Sequence, residues 1–337
     1  MTMNSQKDSP DKYQPNRMAD REYLHAKIYA LRPALLKQSN YQKMAESGQV
    51  HHFFPKLHPD ALKKNPFAVK ETIFNAEIDI IRRFLRISPY YRSLFIDFLR
   101  LFEIRNLKQV LARAFNKPYL FEQWYDIRPY QQFDRELLQQ TLSPKDIQAL
   151  LRNTYLAEAA DNDDSFRKFE TAESSIDICF LFSLVHNAAD LSTGQRRQFL
   201  TLVYTRLEVM KKIWTCRLVQ NYNWPPIKIK SHFEWLNAIN TAIDGCVPGF
   251  SAFARSPAKW LRPCKLSEKT SAADLELALE KSFYTYIRKR FKSDFFGVDC
   301  VVCYLWLRYC QIQNLFSIVE GLYYRAPPGA MINRLIC

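Results

Sequence analysis

The chain alternates long amphipathic stretches with short polar breaks. Apolar side chains recur every three or four positions in residues 95–110 and again in residues 302–319. This spacing is typical of one face of an α-helix, since residues three and four apart lie on the same side. The first stretch holds Phe95, Phe98, Leu99, Phe102 and Val110, and the second Val302, Leu305, Trp306, Tyr309, Ile312, Phe316 and Val319. The pattern predicts two long helices with a buried face.

Glycine and proline usage extends this prediction to the whole chain. Only 7 of the 337 residues are glycine, whereas 17 are proline. Tight hairpins and phosphate-binding loops need glycine for positive φ or close backbone approach. We therefore expect an all-α protein in which prolines mark helix ends.

The two amphipathic stretches also match each other in sequence. Residues 99–111 align with residues 307–319 at an offset of 208, which places Glu103 over Gln311 and Asn106 over Asn314. Half of this offset indicates a third, more diverged copy at residues 207–217, where Glu208 takes the equivalent place. A repeated helical unit is the simplest origin of such a pattern.

A second set of matching segments accompanies the first, and we call the matching segments of both sets the repeat landmarks. Glu173 and Asp177 in residues 173–180 correspond to Glu276 and Glu280 in residues 276–283, and each segment precedes its partner landmark by 35 residues. The counterpart in the first copy falls within residues 71–77. A period of about 104 residues predicts three helical repeats. We expect a disordered tail over residues 1–20 and repeats over residues 21–125, 126–228 and 229–337.

Polar side chains fall close to the apolar face of these helices, as Asn106 and Asn314 show. One interpretation is that half-buried Asn and Glu side chains tie helices together through hydrogen bonds. The other is that they face a cavity lined equivalently by all three copies. The sequence leaves both open.

The charge of the chain narrows its possible partners. The net charge is +14. Such a charge indicates a polyanionic partner, which could be nucleic acid or an anionic membrane surface, or only a well-solvated protein surface. Basic residues are spread along the chain in short clusters such as Arg82–Arg83 and Arg288–Arg290, without an arginine-rich tail. We therefore expect a position beside a membrane and no nucleic-acid partner.

The apolar runs indicate core helices and no membrane span. The longest, residues 178–185 and 300–307, fall well short of the roughly 18 residues that a span needs. The polar opening residues do not resemble a secretory signal, so the eight cysteines are expected to be reduced thiols in a cytoplasm.

Candidate chemistry is sparse. The Cys300–Cys303 pair lies in an apolar stretch and has no second pair to complete a zinc site, which favours buried core thiols. His51, His52 and His58 lie among prolines and favour an irregular loop over a metal site, and the acidic residues 161–164 favour a turn. No phosphate-binding, dinucleotide-binding or serine-nucleophile motif is present. We expect no catalytic residue, cofactor or metal.

The C-terminal stretch, residues 301–335, resembles the closing segment of the AC39 family, the C/d-type subunits of V-type ATPases and ATP synthases. The segments that carry the resemblance are Tyr304–Leu305, Gln311–Leu315, Tyr324–Arg325, Ile332–Leu335, and earlier in the chain Tyr23–Leu31, Leu35–Leu36, Glu103–Leu107 and Asn153–Tyr155. The chain departs from the family at Gln311, where Glu is usual, at Lys211, where Asn is expected, and in the turn at residues 323–325.

The resemblance implies a funnel of three pseudo-threefold related helical repeats on the cytoplasmic face of a membrane, peripheral to it. It implies two partners in a V/A-type rotary ATPase: the central shaft subunits (D/F type) and the membrane rotor ring (c/K type). Such a connector couples the shaft to proton or sodium transport without catalysis, cofactor or small-molecule substrate. The alternative is a helical-repeat adaptor that binds an unrelated protein or nucleic acid through its basic surface.

The candidate residues for partner binding or for the cavity share a place in the repeat landmarks. They are Glu103, Asn106, Glu173, Asp177, Glu208, Glu276, Glu280, Gln311 and Asn314.

Overall fold

A computed structural model describes residues 17–54, 57–58, 60–117, 124–140, 143–161, 165–234, 241, 243–247, 271–293 and 296–337. Most of the expected disordered tail (residues 1–16) and most of the acidic segment (residues 162–164) lie outside the described residues. All regular structure within these ranges is helical and none is strand, which confirms the all-α prediction for the described part of the chain.

The helices vary widely in length. The first half contains α1 (Arg17–Leu31), α2 (Gln38–Ser47), α3 (Ala61–Lys64), α4 (Pro66–Ile87), α5 (Arg92–Ala114), α6 (Arg135–Gln140), α7 (Pro144–Leu151) and α8 (Ala157–Asp161). The second half contains α9 (Phe169–Asn187), α10 (Thr193–Tyr222), α11 (Pro226–His232), α12 (Ala272–Ser293), α13 (Val298–Tyr323) and α14 (Pro328–Asn333). Short 3-10 turns span Arg32–Ala34, Val50–His52, Pro89–Tyr91, Ser165–Arg167 and Ala188–Asp190.

Local sequence explains where the helices begin and end. Pro66 opens α4, and the Asn65 side chain before it accepts hydrogen bonds from the backbone N–H groups of Phe67 and Ala68. At the other end of a helix, Gly48 and Asn223 adopt left-handed φ values of 69° and 54° and terminate α2 and α10. Pro144, Pro226 and Pro328 likewise open helices, as the proline pattern predicted.

Six long helices of the described chain pack into a closed ring. Helices consecutive along the chain form the pairs α4–α5, α9–α10 and α12–α13. The pairs then join through the contacts α5–α9, α10–α12 and α13–α4, so that the last long helix returns to the first. Three copies of a two-helix unit would pack in this way. The threefold relation, the repeat boundaries and the funnel stay predictions.

Helix α13 provides much of the core. Its apolar side chains from Val298 to Val319 are almost all buried, and they contact α4, α10 and α12. Cys300 and Cys303 are both buried in this helix, which confirms them as core thiols. Although α13 is long and apolar, neither it nor any other described helix meets the length and hydropathy that a membrane crossing requires.

The other candidate metal ligands lie apart from any suitable cluster. His51 and His52 form part of the 3-10 turn Val50–His52, with ring centroids 4.4 Å apart. Within the described ranges, no three His, Cys, Asp or Glu side chains are grouped so that they could hold a metal ion.

Candidate functional site

A cavity of about 420 Å³ lies among the helices of the ring. Helices α5, α9, α10, α12 and α13 contribute to its wall, and the segment after α13 contributes Arg334 and Ile336. Among the described residues, five basic and four acidic side chains line it: Arg105, Lys108, Arg206, Arg217, Arg334, Glu173, Asp177, Glu276 and Glu280. The four acidic residues are the two pairs that the 35-residue landmark had singled out.

Helix α9 presents two of its acidic residues, Glu173 and Asp177, to a lysine of α5. Lys108 Nζ lies 2.6 Å from Asp177 Oδ1 and 3.3 Å from Glu173 Oε1. Glu173 and Asp177 are four residues apart, so the helix places both carboxylates on one face. Trp214 of α10 donates its indole N–H to Asp177 at 3.0 Å. Burial alone would lower the pKa of Lys108, but Asp177 and Glu173 outweigh burial and raise the pKa above its usual value. The lysine is therefore held charged.

Helix α12 presents its acidic pair to two arginines of α10. Arg217 donates from Nε and Nη2 to Glu276 Oε2 at 3.0 and 2.6 Å, and Arg206 donates to Glu280 Oε2 at 2.8 Å. The Arg206 guanidinium also lies 5.1 Å and 5.2 Å from the ring centroids of Phe283 and Trp306. Burial alone would lower the pKa of Arg206, but Glu280 outweighs burial and raises this pKa above its usual value.

A further ion pair, outside the cavity, joins α13 to α4. Arg308 Nε of α13 lies 2.7 Å from Glu77 Oε2 of α4, and both side chains are buried. Burial raises the pKa of Glu77, although Arg308 and a 2.9 Å hydrogen bond from Gln311 Nε2 act against this. The ion pairs therefore join α9 to α5, α12 to α10 and α4 to α13, which are the contacts between neighbouring helix pairs.

Asn106 and Asn314 each bind the backbone of a segment that follows their helix. Asn106 donates to the carbonyl of Tyr125 at 2.8 Å and accepts from the N–H of Tyr125 at 2.9 Å. Asn314 makes the same two bonds to Ile336, at 3.3 and 2.7 Å. Their amides therefore tie chain segments to the helices and are not among the residues lining the cavity.

The remaining three candidates occupy different environments. Glu103 is buried and accepts hydrogen bonds from the backbone N–H groups of Gln132 and Phe133 and from the Tyr155 hydroxyl. Burial raises the pKa of Glu103, although these hydrogen bonds act to lower it. Gln311 accepts from the backbone N–H of Leu36 at 2.8 Å. Glu208 is half-buried beside Tyr204 and does not line the cavity.

Sequence reasoning missed the basic partners of the cavity. Lys108 and Arg217 do not lie at equivalent positions of the repeat, so the offset gave no signal for them. Arg105 and Gln313 did carry such a signal, because they are 208 residues apart. In the structure their side chains are hydrogen-bonded across the cavity wall. The offset of 208 was therefore a signal that could have found this contact.

The paired charges of the cavity are suited to binding a polar surface. Its carboxylates are each paired with a nearby cation, so none is poised as a free acid or base for catalysis. Charged side chains held by neighbours lose little freedom when a partner binds, which favours a specific, rigid contact.

Comparison with known proteins covers nearly the whole chain. A sequence model of the family described as ATP synthase (C/AC39) subunit matches residues 24–334. These residues include the six helices of the ring and all nine candidate positions. A search of curated proteins finds no match.

Proposed function

The chain belongs to the ATP synthase (C/AC39) subunit family, and from this premise we propose that it is the central-stalk rotor connector of a V/A-type rotary ATPase. In this role it joins the shaft subunits (D/F type) to the membrane rotor ring (c/K type) on the cytoplasmic face of the membrane. It couples ATP turnover to proton or sodium transport and carries out neither reaction. The family match over residues 24–334 is the observation that carries the proposal.

The closed ring of helices supports a mechanical role. A protein that transmits torque must resist shear between its helices. Here the three helix pairs α4–α5, α9–α10 and α12–α13 are joined to one another both by packing and by ion pairs. Buried ion pairs fix the relative position of two helices because moving one would leave a charge without its counter-ion.

The cavity supports the proposal that the foot of the shaft sits within the ring. Its paired charges offer hydrogen-bonding groups of both signs at fixed positions. In this proposal Glu173, Asp177, Glu276 and Glu280 contact the shaft directly or position the neighbouring arginines and lysine. Glu103, Asn106, Gln311 and Asn314 support the wall, since their bonds are internal.

Co-purification tests the proposal. Affinity-tagged chain extracted from its native membranes in mild detergent is expected to bring down shaft and ring subunits of one rotary ATPase. Recovery of the intact chain without either would contradict the connector role. A salt-sensitive shift of bulk DNA or RNA by the isolated protein would instead favour the adaptor alternative.

A further inference from the structure

A second cavity, of about 640 Å³, lies between the N-terminal helices and the last two long helices. Helices α1 and α2 and the turn between them form one wall, and α12 and α13 form the other. Its volume falls within the range of roughly 300–1,000 Å³ that is usual for small-ligand sites. Of the nine candidate residues, only Gln311 lines it.

The charged side chains that line this cavity are all basic. Arg32, Lys37, Arg288 and Lys292 line it, and no Asp or Glu side chain of the described residues does. Nor does any of the four cations form an ion pair within the described ranges. In the first cavity, by contrast, every carboxylate has a basic partner. Four cations without counter-ions favour an anionic ligand.

The positions of the cations suit a phosphate group. Arg288 and Lys292 are four residues apart on α12, so they project from the same face of the helix. Arg32 faces them from the other wall, where its guanidinium lies 5.6 Å from the ring centroid of Phe291. Arginine binds phosphate oxygens through paired N–H groups, and lysine adds a compact charge.

The rest of the wall is mainly apolar, and the Gln311 amide on it is already hydrogen-bonded. Leu35, Leu36, Phe291 and Leu307 line it beside three tyrosines. The amide of Gln311 is bonded to Leu36 and Glu77. An inserted peptide would bury backbone N–H and C=O groups that find few partners there, which is costly. A hydrocarbon chain carries no such groups.

We propose that this cavity binds an acidic phospholipid, with the phosphate among Arg32, Lys37, Arg288 and Lys292 and the first part of an acyl chain against the leucines and aromatic rings. The inference does not depend on the connector role, because it is carried by the cavity's own charge and apolar wall. It does go beyond general attraction to a membrane, since it names one site.

Vesicle flotation of the purified full-length chain tests the site. Vesicles of phosphatidylcholine mixed with phosphatidylglycerol are expected to bind the protein, and vesicles of phosphatidylcholine alone are not. Arg288→Glu is expected to weaken binding to the mixed vesicles by roughly tenfold or more, from the loss and reversal of one basic charge at the ligand. Lys289→Glu is the matched control, because it makes the same charge change at the neighbouring exposed position, outside the cavity wall.

A second variant separates a lipid in the cavity from charge alone. Leu35→Trp fills space at a half-buried wall position and leaves the net charge unchanged. It is expected to weaken binding to the mixed vesicles severalfold while the melting temperature stays near that of the parent. Equal losses in Arg288→Glu and Lys289→Glu, or full binding by Leu35→Trp, would overturn the proposal.

Soluble competitors identify the source of the phosphate. Inorganic phosphate and glycerol phosphate are expected to compete only weakly with vesicles, because they lack the acyl chain. Tight binding of inorganic phosphate to the parent and Leu35→Trp alike, with no vesicle binding, would show a soluble-phosphate site and overturn the lipid proposal. So would an absence of vesicle binding together with loss of a co-purifying protein in Arg288→Glu, which would indicate an acidic peptide as the occupant.

Discussion

At the scale of single residues, the same side chain performs the same task at two places 208 positions apart. Asn106 and Asn314 each hold both backbone groups of one residue, Tyr125 and Ile336, so that a single amide replaces a step of regular backbone pairing. An Asn side chain can do this because it carries a donor and an acceptor in one plane. The two sites differ in burial, since Tyr125 is buried whereas Ile336 is partly exposed.

This difference in burial gives a prediction. Asn106→Ala is expected to lower the free energy of unfolding by about 2–4 kcal/mol, because the N–H and C=O of Tyr125 would lose these bonds away from water. Asn314→Ala is expected to cost about half as much, since water can reach Ile336. Urea denaturation followed by circular dichroism measures both. Equal losses would show that burial of the hydrogen-bonded backbone groups does not determine the loss of stability.

Normal coupled ion pumping by the Asn106→Ala, Asn314→Ala double variant would limit both residues to this structural role.

At the scale of helices, the ion pairs of the cavity and the Arg308–Glu77 pair connect different helices. Lys108 of α5 pairs with α9, Arg206 and Arg217 of α10 pair with α12, and Arg308 of α13 pairs with α4. Each pair spans a contact between two helices that are distant in sequence. These pairs fix which helix faces which, because a rotation of either helix would separate the charges.

Removing one partner tests how much such a pair matters. Glu280→Gln is expected to lower the free energy of unfolding by about 3–5 kcal/mol, because it leaves the Arg206 guanidinium buried without its counter-ion. Asp79→Asn is the control, since the Asp79–Arg82 pair is more exposed and lies within one helix, and its loss is expected to cost about 1 kcal/mol or less.

The double variant Glu280→Gln with Arg206→Met completes the experiment. It is expected to recover part of the lost stability, because no uncompensated charge would remain and methionine can pack beside Phe283 and Trp306. Losses that simply add in the double variant would show that the two side chains do not interact.

At the scale of the whole molecule, the ring closes because α13 packs on α4. The N-terminal helices and α14 then pack around this closure, with α1 against α13 and α14 against α2. Both ends of the described chain are thereby tied to the same region. The ring leaves a cavity with one more basic than acidic side chain among its described lining, so we expect the partner surface that enters it to be acidic.

Arg334 offers a test of this expectation, because it is exposed, lines the cavity and forms no ion pair with another described residue. Arg334→Glu is expected to weaken association with co-expressed shaft subunits by roughly tenfold, through repulsion at the cavity, while thermal stability stays unchanged. Arg334→Lys should retain binding, and Lys289→Glu serves as a charge-matched control outside the cavity. Binding of Arg334→Glu as tight as the parent's, measured by quantitative co-purification, would place the shaft contact elsewhere.

Local information in the sequence determined much of this fold. The three-to-four spacing of apolar residues, the scarcity of glycine and the placement of proline determined that the chain is helical and where several helices begin, because these depend on neighbours along the chain. The offset of 208 also paired Asn106 with Asn314 and Glu103 with Gln311, and residues 24–334 carry the family's sequence pattern. The sequence also singled out Glu173, Asp177, Glu276 and Glu280, because the two segments that hold them each precede the next matching segment by 35 residues.

Only the tertiary structure decided which charges meet. The offset of 208 aligns Arg308 with Arg100, yet Arg100 pairs with Asp97 of its own helix whereas Arg308 pairs with Glu77 of α4. The ion pairs of the cavity and the Arg308–Glu77 pair join residues that are far apart along the chain, from 59 positions for Arg217 with Glu276 to 231 for Arg308 with Glu77.

The tertiary structure likewise separated the four candidates that line the cavity from those that bind backbone. It also brought Arg32 and Lys37 together with Arg288 and Lys292. Coulomb attraction and burial depend on distance in space, and distance in space is set by how the helices pack and not by their order along the chain.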